Sequence, residues 1–407
     1  DEPPAPPRSP YLDAVTRDVG GLLAAPTAGP PLDAALSGAS SAVVVVSDAS
    51  RSTGVDRYLS VLLERIRASG VANITIAVGG GLHRPPGDRE IERILGPGPA
   101  GREKVVVHDP DDEAGLVALG ATRAGTPVKV HRVLADHDAV VLTGAVGFHY
   151  YAGFSGGRKA VVPGLAARET IVGNHLRALR PDGSRHPDAR AGRLEGNPVH
   201  RDMVESAALV RPRFLVNTVM AGDGEIEAAF AGDWRDAHEA ACRYVGDTRT
   251  VRVERRPMVV VSAGGAPHDI DLVQSHKAFE AVFPIVAPGG CVILLAACPD
   301  GFGAADFESG LVRSDERRLV EDLRNDYRVY RQTALAWRRK LGDCNLVLVS
   351  GMEPAAVAAT GATPARDLSD AFRKAARVVG RNATGWILPH GIRWSFEPLA
   401  AAGGVPA

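Results

Sequence analysis

The chain has 407 residues, of which 45% are hydrophobic, and its 47 basic and 48 acidic side chains leave a formal net charge of -1. This balance gives no basic footprint for nucleic acid, and the longest apolar run, 291–298, is far shorter than the roughly 18 residues of a membrane span. No secretion signal opens the sequence, and the cysteines form no C-x-x-C pair. We therefore expect a cytoplasmic protein with reduced thiols, with neither nucleic acid nor membrane as partner.

Apolar, β-branched runs alternate with helix-like segments along the first part of the chain. A proline-rich start contains a helix-like stretch at 11–23. Buried parallel strands read as continuous apolar runs, and their alternation with helices is typical of α/β layers. The predicted strands are 42–47, 73–78, 104–108, 127–130, 139–142 and 213–217, with a helix at 56–68 after the first of them.

The same pattern restarts after the charged stretch 247–257. We therefore predict an α/β protein with two domains and mainly parallel sheets, 1–254 and 255–407. An arrangement in which the extreme C-terminus packs back on the first domain is left open. The second domain is predicted to contain strands at 258–262, 291–297 and 345–350 and helices at 272–283 and 316–324.

Polar side chains follow several predicted strands at the point where each strand ends. Asp48 and Arg51 come after the first strand, His83 after the second, and His149 after the strand at 139–142. Sites in parallel α/β sheets lie at the carboxyl ends of the strands, so these side chains predict one functional edge. For Asp48 and Arg51, a simple salt bridge is the alternative.

The glycine-rich stretch 147–159 is the strongest local signal. Its glycines let backbone N–H groups approach an anion closely, and Arg158 and Lys159 add positive charge. The spacing is not that of a Walker loop, and neither a dinucleotide fingerprint nor a standard zinc motif occurs in the sequence. A plain chain reversal is the alternative to an anion-binding loop.

Histidine titrates near neutral pH, so His83 and His149 facing one pocket would serve as base and acid. His175 is either a core residue or a metal ligand, and the spacing alone leaves both open. Gln274 and Lys277 share a face of the helix at 272–283, which is either solvated or ligand-facing. A further group of histidines is assigned to surface or core roles: His186, His200, His238, His268 and His276.

Five motifs occur in an order that resembles the lactate racemase family, whose enzymes use a nickel-pincer nucleotide. The resemblance spans about residues 40 to 340, and it implies two α/β domains with the active site in the interdomain cleft. The motifs are Asp48-x-x-Arg51, Gly81-Leu-His-Arg-Pro85, His149-Tyr-Tyr-Ala-Gly-Phe-Ser-Gly-Gly-Arg-Lys159, Asn174-His175 and Asp271-Leu-Val-Gln-Ser-His-Lys277.

The resemblance implies a cofactor, a pyridinium thioamide/thiocarboxylate mononucleotide with nickel, tethered covalently to Lys159. His175 resembles the protein ligand that completes a square-planar nickel site. Asp48 and the glycine-rich loop are expected to hold the ribose and phosphate, and Trp337 stands at about the place of a family tryptophan near the nickel. The implied cofactor-binding residues are Lys159, Asp48, Ser155, Gly156, Gly157, Arg158 and Trp337.

For the reaction, His83 and His149 resemble the bases on opposite sides of the substrate, while Arg51, Gln274 and Lys277 resemble the groups that hold its carboxylate. The implied activity is an isomerase, a racemase or epimerase of a 2-hydroxy acid that works by reversible hydride transfer through a 2-keto acid. Separate cofactor-making enzymes are the implied partners.

The sequence departs from the family pattern near the substrate residues, because Ser52-Thr53-Gly54 follows Arg51, Gly87 replaces a threonine and Val273 replaces an aromatic residue. These changes leave the particular 2-hydroxy acid open. The alternatives to a racemase or epimerase are a non-catalytic carrier of the nickel nucleotide and an ordinary hydroxyacid dehydrogenase. The presence of both His83 and His149 disfavours the carrier, and the missing dinucleotide fingerprint disfavours the dehydrogenase.

Overall fold

The computed structural model describes residues 16–96, 98–222 and 224–399. They form two compact units, divided between Asp247 and Thr248. Both units are α/β with mostly parallel sheets, as predicted. Of the helix predicted at 11–23, residues 11–15 lie outside the described residues, and the described helix in that stretch is α1 (Val19–Ala24). Residues 400–407, the extreme C-terminus, also lie outside them.

The N-terminal unit is built on a six-stranded sheet in the order β10-β9-β6-β1-β2-β3, in which β10 alone runs antiparallel to its neighbour. Two antiparallel pairs, β4–β5 and β7–β8, stand outside that sheet. The strands are β1 (Ser41–Ser47), β2 (Asn73–Gly79), β3 (Lys104–Val107), β4 (Leu116–Ala121), β5 (Pro127–His131), β6 (Ala139–Ala145), β7 (Phe148–His149), β8 (Gly153–Phe154), β9 (Phe214–Met220) and β10 (Ile226–Gly232).

Both faces of this sheet are covered, which explains the continuous apolar run that forms β1. Val44 and Val46 enter the core that contains Leu59, whereas Val43 and Val45 enter a second core on the other face. This alternation is the two-residue period of a strand. The helices of this unit are α1, α2 (Leu32–Ala35), α3 (Val55–Ala68), α4 (Asp88–Leu95), α5 (Pro99–Arg102), α6 (Arg168–Leu176), α7 (Pro198–Val210) and α8 (Asp236–Arg249), the last of which crosses the division between the units.

The C-terminal unit contains a five-stranded, fully parallel sheet in the order β15-β14-β13-β12-β16, and a parallel pair, β11–β17. The strands predicted at 258–262, 291–297 and 345–350 correspond to β12, β13 and β14. The strands are β11 (Thr250–Val253), β12 (Arg256–Ser262), β13 (Val286–Leu295), β14 (Asn345–Val349), β15 (Thr363–Ala365), β16 (Gly385–Leu388) and β17 (Ser395–Pro398).

Among the described residues of this unit, six α-helices accompany these strands, and the helices predicted at 272–283 and 316–324 are confirmed to within one residue. Within the described ranges, no helix combines the length and the apolar character that crossing a membrane requires. The helices are α9 (Leu272–Val282), α10 (Ala305–Val312), α11 (Glu316–Asn325), α12 (Val329–Asp343), α13 (Pro354–Ala359) and α14 (Leu368–Val379).

The strand order of the N-terminal unit creates a switch point beside β1. From β1 the chain proceeds outward through β2 and β3, and then returns to the other side of β1 as β6. In open α/β sheets, ligands bind at such points, outside the carboxyl ends of the strands. The segments that leave β1, β2 and β6 at this edge carry Asp48, His83 and His149 respectively.

Candidate active site

The Asp48 carboxylate and the His83 imidazole meet where two neighbouring strands end. β1 and β2 pair in parallel along their full length, so the segments that follow them begin side by side. His83 Nδ1 lies 2.8 Å from Asp48 Oδ2, and Ser50 Oγ donates to Asp48 Oδ1 at 2.6 Å. A Nδ1–H group directed at the carboxylate leaves Nε2 of His83 to accept a proton.

Asp48 is ionised in this arrangement. Burial raises the pKa of the carboxyl, but the hydrogen bond and the charge of His83, with the Ser50 hydroxyl, outweigh burial and hold that pKa below its usual range. The side chain of Asp48 is 6% exposed, whereas that of His83 is 36% exposed. The pair therefore consists of a buried anion that orients a solvent-accessible imidazole.

Arg51 acts on the same site through its charge. Its backbone N–H donates to the carbonyl of Asp48 at 3.2 Å, while the carboxylate of Asp48 is engaged by His83 and Ser50. The Arg51 guanidinium contributes to the lowered pKa values of Asp48, His149 and Lys159. The side chains predicted from separate strand ends thus influence one another electrostatically.

The glycine-rich loop is closed by its own polar groups. Ser155 Oγ donates to the carbonyl of Ala145 at 2.8 Å and accepts from the N–H of Gly147 at 2.9 Å. Gly156 and Gly157 have φ values of 73° and 54°, a region that favours glycine. The N–H of Gly157 donates to Asn217 Oδ1 at 3.0 Å. The Ser155 hydroxyl and the Gly157 N–H therefore fix the shape of the loop.

Arg158 lies beneath the loop rather than on its surface, since the residue is 1% exposed. Its Nη2 donates to the carbonyl of Ala152 at 2.8 Å, and its Nη1 lies 2.9 Å from His238 Nε2. Burial, and next the charge of Arg158, lower the pKa of His238 well below the usual value, so this imidazole is neutral. The buried positive charge is held by neutral groups and contributes to the positive potential of the site.

His149 stands on β7 against two tyrosine rings. It stacks on Tyr150 with 5.3 Å between ring centroids and meets Tyr151 edge-on at 4.5 Å. Its Nδ1 accepts the N–H of Ala152 at 3.3 Å, which places the proton of the neutral ring on Nε2. Burial, followed by the charges of Lys159 and Arg51, lowers the pKa of His149 well below 6.5.

Lys159 contributes a primary amine to the same cluster. Its Nζ lies 5.8 Å from the centroid of the Tyr151 ring. Burial, and then the positive charges of Arg158 and Arg51, hold the pKa of Lys159 well below the usual lysine value. A lowered pKa increases the share of neutral amine at a given pH, and the neutral amine is the nucleophilic form.

His175 lies in the last turn of α6 and is 4% exposed. Its Nε2 lies 3.0 Å from the hydroxyl oxygen of Tyr151. Burial, and then the charge of Lys159, lower the pKa of His175 to about 3, so the ring is neutral. The preceding Asn174 donates from Nδ2 to Asp202 Oδ2 at 2.9 Å, which ties α6 to α7. A neutral, anchored imidazole is the form of histidine that binds transition metals.

In the C-terminal unit, Gln274 and Lys277 share a face of α9, as predicted. Lys277 Nζ donates to Gln274 Oε1 at 2.6 Å. The helix begins after Asp271, whose Oδ1 accepts the N–H of Gln274 at 2.7 Å. Gln274 is half-buried and Lys277 is exposed, so the pair presents an amide and a cation at the start of the helix.

Trp337 occupies a different environment, the interior of the C-terminal unit. The side chain is 0% exposed, its indole N–H donates to the carbonyl of Thr360 at 3.2 Å, and its ring packs edge-on against Phe279 and Phe307. In this structure its polar atom and its faces are engaged by neighbouring core residues. The sequence expectation that Trp337 contacts a cofactor stays a prediction.

Four residues with a clear place in the site were not singled out from the sequence. Ser50 and Tyr151 lie inside motifs that were recognised, but only their three-dimensional partners reveal their contacts. Asn217 and His238 lie far along the chain from the loop that they support. Their signal in the sequence is weak, because an asparagine in an apolar strand and a histidine in a helix have many ordinary explanations.

Comparison with known proteins identifies both halves of the chain. Residues 7–186 match the lactate racemase N-terminal domain, and residues 251–394 match the lactate racemase C-terminal domain. The chain is 30% identical over 357 residues to a lactate racemase of Lactiplantibacillus plantarum, and 29% identical over 357 residues to one of Thermoanaerobacterium thermosaccharolyticum. In both cases the match covers 86% of this chain and 83% of the relative.

Solved structures give the same answer for the fold. The lactate racemase apoprotein of Thermoanaerobacterium thermosaccharolyticum is similar with a TM-score of 0.89 and 27% identity, covering 97% of this chain and 99% of that one. A protein from Thermotoga maritima is similar in fold, with a TM-score of 0.67 and 18% identity over 90% of this chain and 96% of that one.

Proposed function

The chain belongs to the lactate racemase family, and from that premise we propose that it is a racemase or epimerase of a 2-hydroxy acid. The observation that carries the proposal is the cluster around Tyr151. There a half-buried amine, Lys159, whose pKa is lowered, and a buried neutral imidazole, His175, lie beside the same ring as His149.

These residues fit a nickel-pincer nucleotide. Nickel held by such a nucleotide would take a ligand from the protein, and a neutral imidazole suits this metal. We propose that His175 is that ligand and that the neutral amine of Lys159 forms the covalent tether. When bound, the cofactor would supply an acceptor and donor of hydride for C2 of the substrate.

The charge of the cluster suits anionic ligands. Arg51 and Arg158 each lower the pKa of neighbouring groups, which is the effect of a positive potential. Asp48 is the acidic residue closest to Arg51 in the sequence, but its carboxylate is hydrogen-bonded to His83. We propose that Arg51 holds the substrate carboxylate, because a cation is an ordinary partner of that group. The same role for Gln274 and Lys277, which the resemblance implies, stays a prediction.

The two imidazoles would move the proton of the α-hydroxyl. Asp48 orients His83 so that Nε2 faces away from the carboxylate and accepts that proton, and the buried anion stabilises the resulting imidazolium. His149 would serve the enantiomer whose hydroxyl points the other way. Each residue would return its proton when the reaction runs in reverse, as a pair of general acid–base groups must.

The test is to produce the chain together with cofactor-making enzymes, measure intact mass and bound nickel, and screen 2-hydroxy acids by chiral chromatography. We expect an adduct on Lys159, nickel in the protein, and interconversion of enantiomers or epimers of at least one acid. His175→Ala should keep the fold and lose most nickel. A protein that carries cofactor and nickel but turns over none of a broad set of 2-hydroxy acids would point to the carrier function instead.

A further inference from the structure

Tyr151 contacts His175 and His149 and lies near Lys159, the three groups to which the proposed function gives a role. Its hydroxyl lies 3.0 Å from His175 Nε2, its ring meets His149 edge-on at 4.5 Å, and Lys159 Nζ lies 5.8 Å from its ring centroid. The side chain is 5% exposed, and Asn197 Nδ2 fixes the carbonyl of Tyr151 at 2.9 Å. Tyr151 is therefore held rigidly at the centre of the cluster.

The hydroxyl engages Nε2 of His175. An imidazole nitrogen has either one lone pair or one proton to offer, and a hydrogen bond uses it. The same nitrogen cannot coordinate a metal while it remains bonded to the hydroxyl. Since a buried imidazole nitrogen without a partner is costly, the bond also stabilises the orientation of His175 in the metal-free protein.

We propose that the Tyr151 hydroxyl is a placeholder for the metal on His175. It satisfies and orients Nε2 before the cofactor arrives, and it is displaced from Nε2 when nickel binds there. The proposal rests on the proposed function for the assignment of His175 as metal ligand. The contact between Tyr151 and His175 itself does not depend on that assignment.

Two opposite effects of Tyr151→Phe follow, because the variant keeps the ring and removes only the hydroxyl. The metal-free protein should lose about 2–4 °C in Tm, since Nε2 of His175 is left buried without its partner. Loading should become easier, with half-maximal nickel content reached at about 2- to 10-fold less cofactor, because the metal no longer displaces a hydrogen bond. A residue with a merely structural role would lower stability without improving loading.

The first measurement is a double-mutant cycle on cofactor-free protein, with Tm as the readout. Tyr151→Phe should lower Tm in the parent chain but add nothing in a His175→Leu background, or in His175→Ala if the leucine variant does not fold. Tyr58→Phe, which alters another buried tyrosine of the same unit, should have the same effect in both backgrounds. An equal loss from Tyr151→Phe in both backgrounds, or no loss in either, would overturn the proposal.

The second measurement follows bound nickel and the Lys159 adduct as cofactor is increased, for the parent, Tyr151→Phe and Tyr58→Phe. The proposal expects Tyr151→Phe to load at lower cofactor concentration and Tyr58→Phe to load like the parent. Weaker loading of Tyr151→Phe at every concentration would refute the placeholder role. If the parent acquires neither adduct nor nickel, the proposed function fails instead, and the double-mutant cycle still decides whether the hydroxyl supports His175.

Discussion

The Asp48 carboxylate lies 2.8 Å from Nδ1 of His83, although the two residues are 35 positions apart in the chain. The contact arises because Asp48 follows β1 and His83 follows β2, two neighbouring parallel strands. A carboxylate on one nitrogen of an imidazole fixes the tautomer, so the other nitrogen is left as the proton acceptor. Asp48 therefore acts on the reaction through His83, whatever it contributes to cofactor binding.

Asp48→Asn should separate these two roles. The amide is nearly isosteric but carries no charge, so His83 loses its electrostatic partner and we expect turnover to fall by roughly 10²-fold. Nickel content and the Lys159 adduct should stay at parental levels, as measured by metal analysis and intact mass. The matched variant Ser50→Ala removes one hydrogen bond to the same carboxylate and should have a smaller effect. Loss of cofactor from Asp48→Asn would favour the expected contact with the ribose and phosphate instead.

Much of the fold could be predicted because the sheet is buried on both faces. Runs such as Ala42–Ser47 have no polar residue in their interior, and the structure extends this strand by one residue only. β10 (Ile226–Gly232) was not predicted, since its alanines and glycine have little intrinsic preference for strands and only pairing with β9 makes it one. β11 pairs with β17 near the end of the described chain, which explains why the compact units divide at Asp247, before the predicted boundary at 254.

The candidate site, too, could be predicted from the sequence only in part. Which residue types gather at the strand ends could be predicted, because parallel topology brings those ends together. Which atoms pair could not: a salt bridge from Asp48 to Arg51 was a reasonable alternative, yet the carboxylate is bonded to His83. Arg158 was expected to add positive charge to the loop, but its partner His238, 80 residues away, could not be predicted. Such partners depend on side-chain packing between distant segments, which local spacing does not encode.

The amine of Lys159 should react at lower pH than an ordinary lysine. Its pKa is depressed by burial and by the charges of Arg158 and Arg51, so the neutral form accumulates as pH rises through a range below 10.5. Reductive methylation of cofactor-free protein, mapped by peptide mass across a pH series, should therefore level off earlier at Lys159 than at Lys129. Lys129 is an internal control whose pKa is shifted in the opposite direction, because its hydrogen bond to Glu113 raises that pKa.

Removing the positive charge of Arg51 tests the cause of the lowered pKa of Lys159. Arg51→Gln should shift the methylation profile of Lys159 to higher pH, because one of the positive charges that disfavour the protonated amine is gone. The profile of Lys129 should not move. A Lys159 profile that levels off above that of Lys129 in the parent chain would contradict the assignment of a neutral amine to this site.

Acid should destabilise the N-terminal unit partly through His108. Burial is the main cause of its low pKa, about 4 against 6.5, and the residue is 4% exposed. Below pH 6.5 the unfolded chain binds a proton at this position that the folded chain does not, so stability is lost progressively as pH falls towards 4. The loss approaches about 1.4 kcal/mol per pH unit for one such group.

Urea unfolding at a series of pH values measures that slope. His108→Gln should reduce the slope of unfolding free energy against pH between pH 6.5 and 4. The reduction should correspond to the uptake of up to one proton on unfolding, even if the variant is less stable overall. His390→Gln, which alters an exposed imidazole, is the control and should leave the slope unchanged. An unchanged slope in His108→Gln would mean that His108 is not the group that acid must protonate.

His83 and His149 present different hydrogen-bonding faces, which bears on the central prediction for turnover. Asp48 holds a proton on Nδ1 of His83 and leaves its Nε2 as an acceptor, whereas the N–H of Ala152 places the proton of neutral His149 on Nε2. In one direction of the reaction His83 is thus already in the form of the base. In the other direction, His149 must first exchange its proton, so the two residues should not be equivalent.

His83→Ala and His149→Ala should each lower turnover by roughly 10²–10⁴-fold, the usual effect of removing a general acid or base. Both variants should keep the Lys159 adduct and nickel, because neither imidazole is the proposed ligand. The measurement loads each variant with cofactor, confirms nickel, and follows chiral chromatography from both enantiomers of the best substrate. The losses should be unequal, since water replaces an exposed base such as His83 more easily than a half-buried one such as His149. Near-parental racemisation by either fully loaded variant would refute the two-base mechanism, and loss of nickel from His149→Ala would show that His149 supports the metal site rather than the proton transfer.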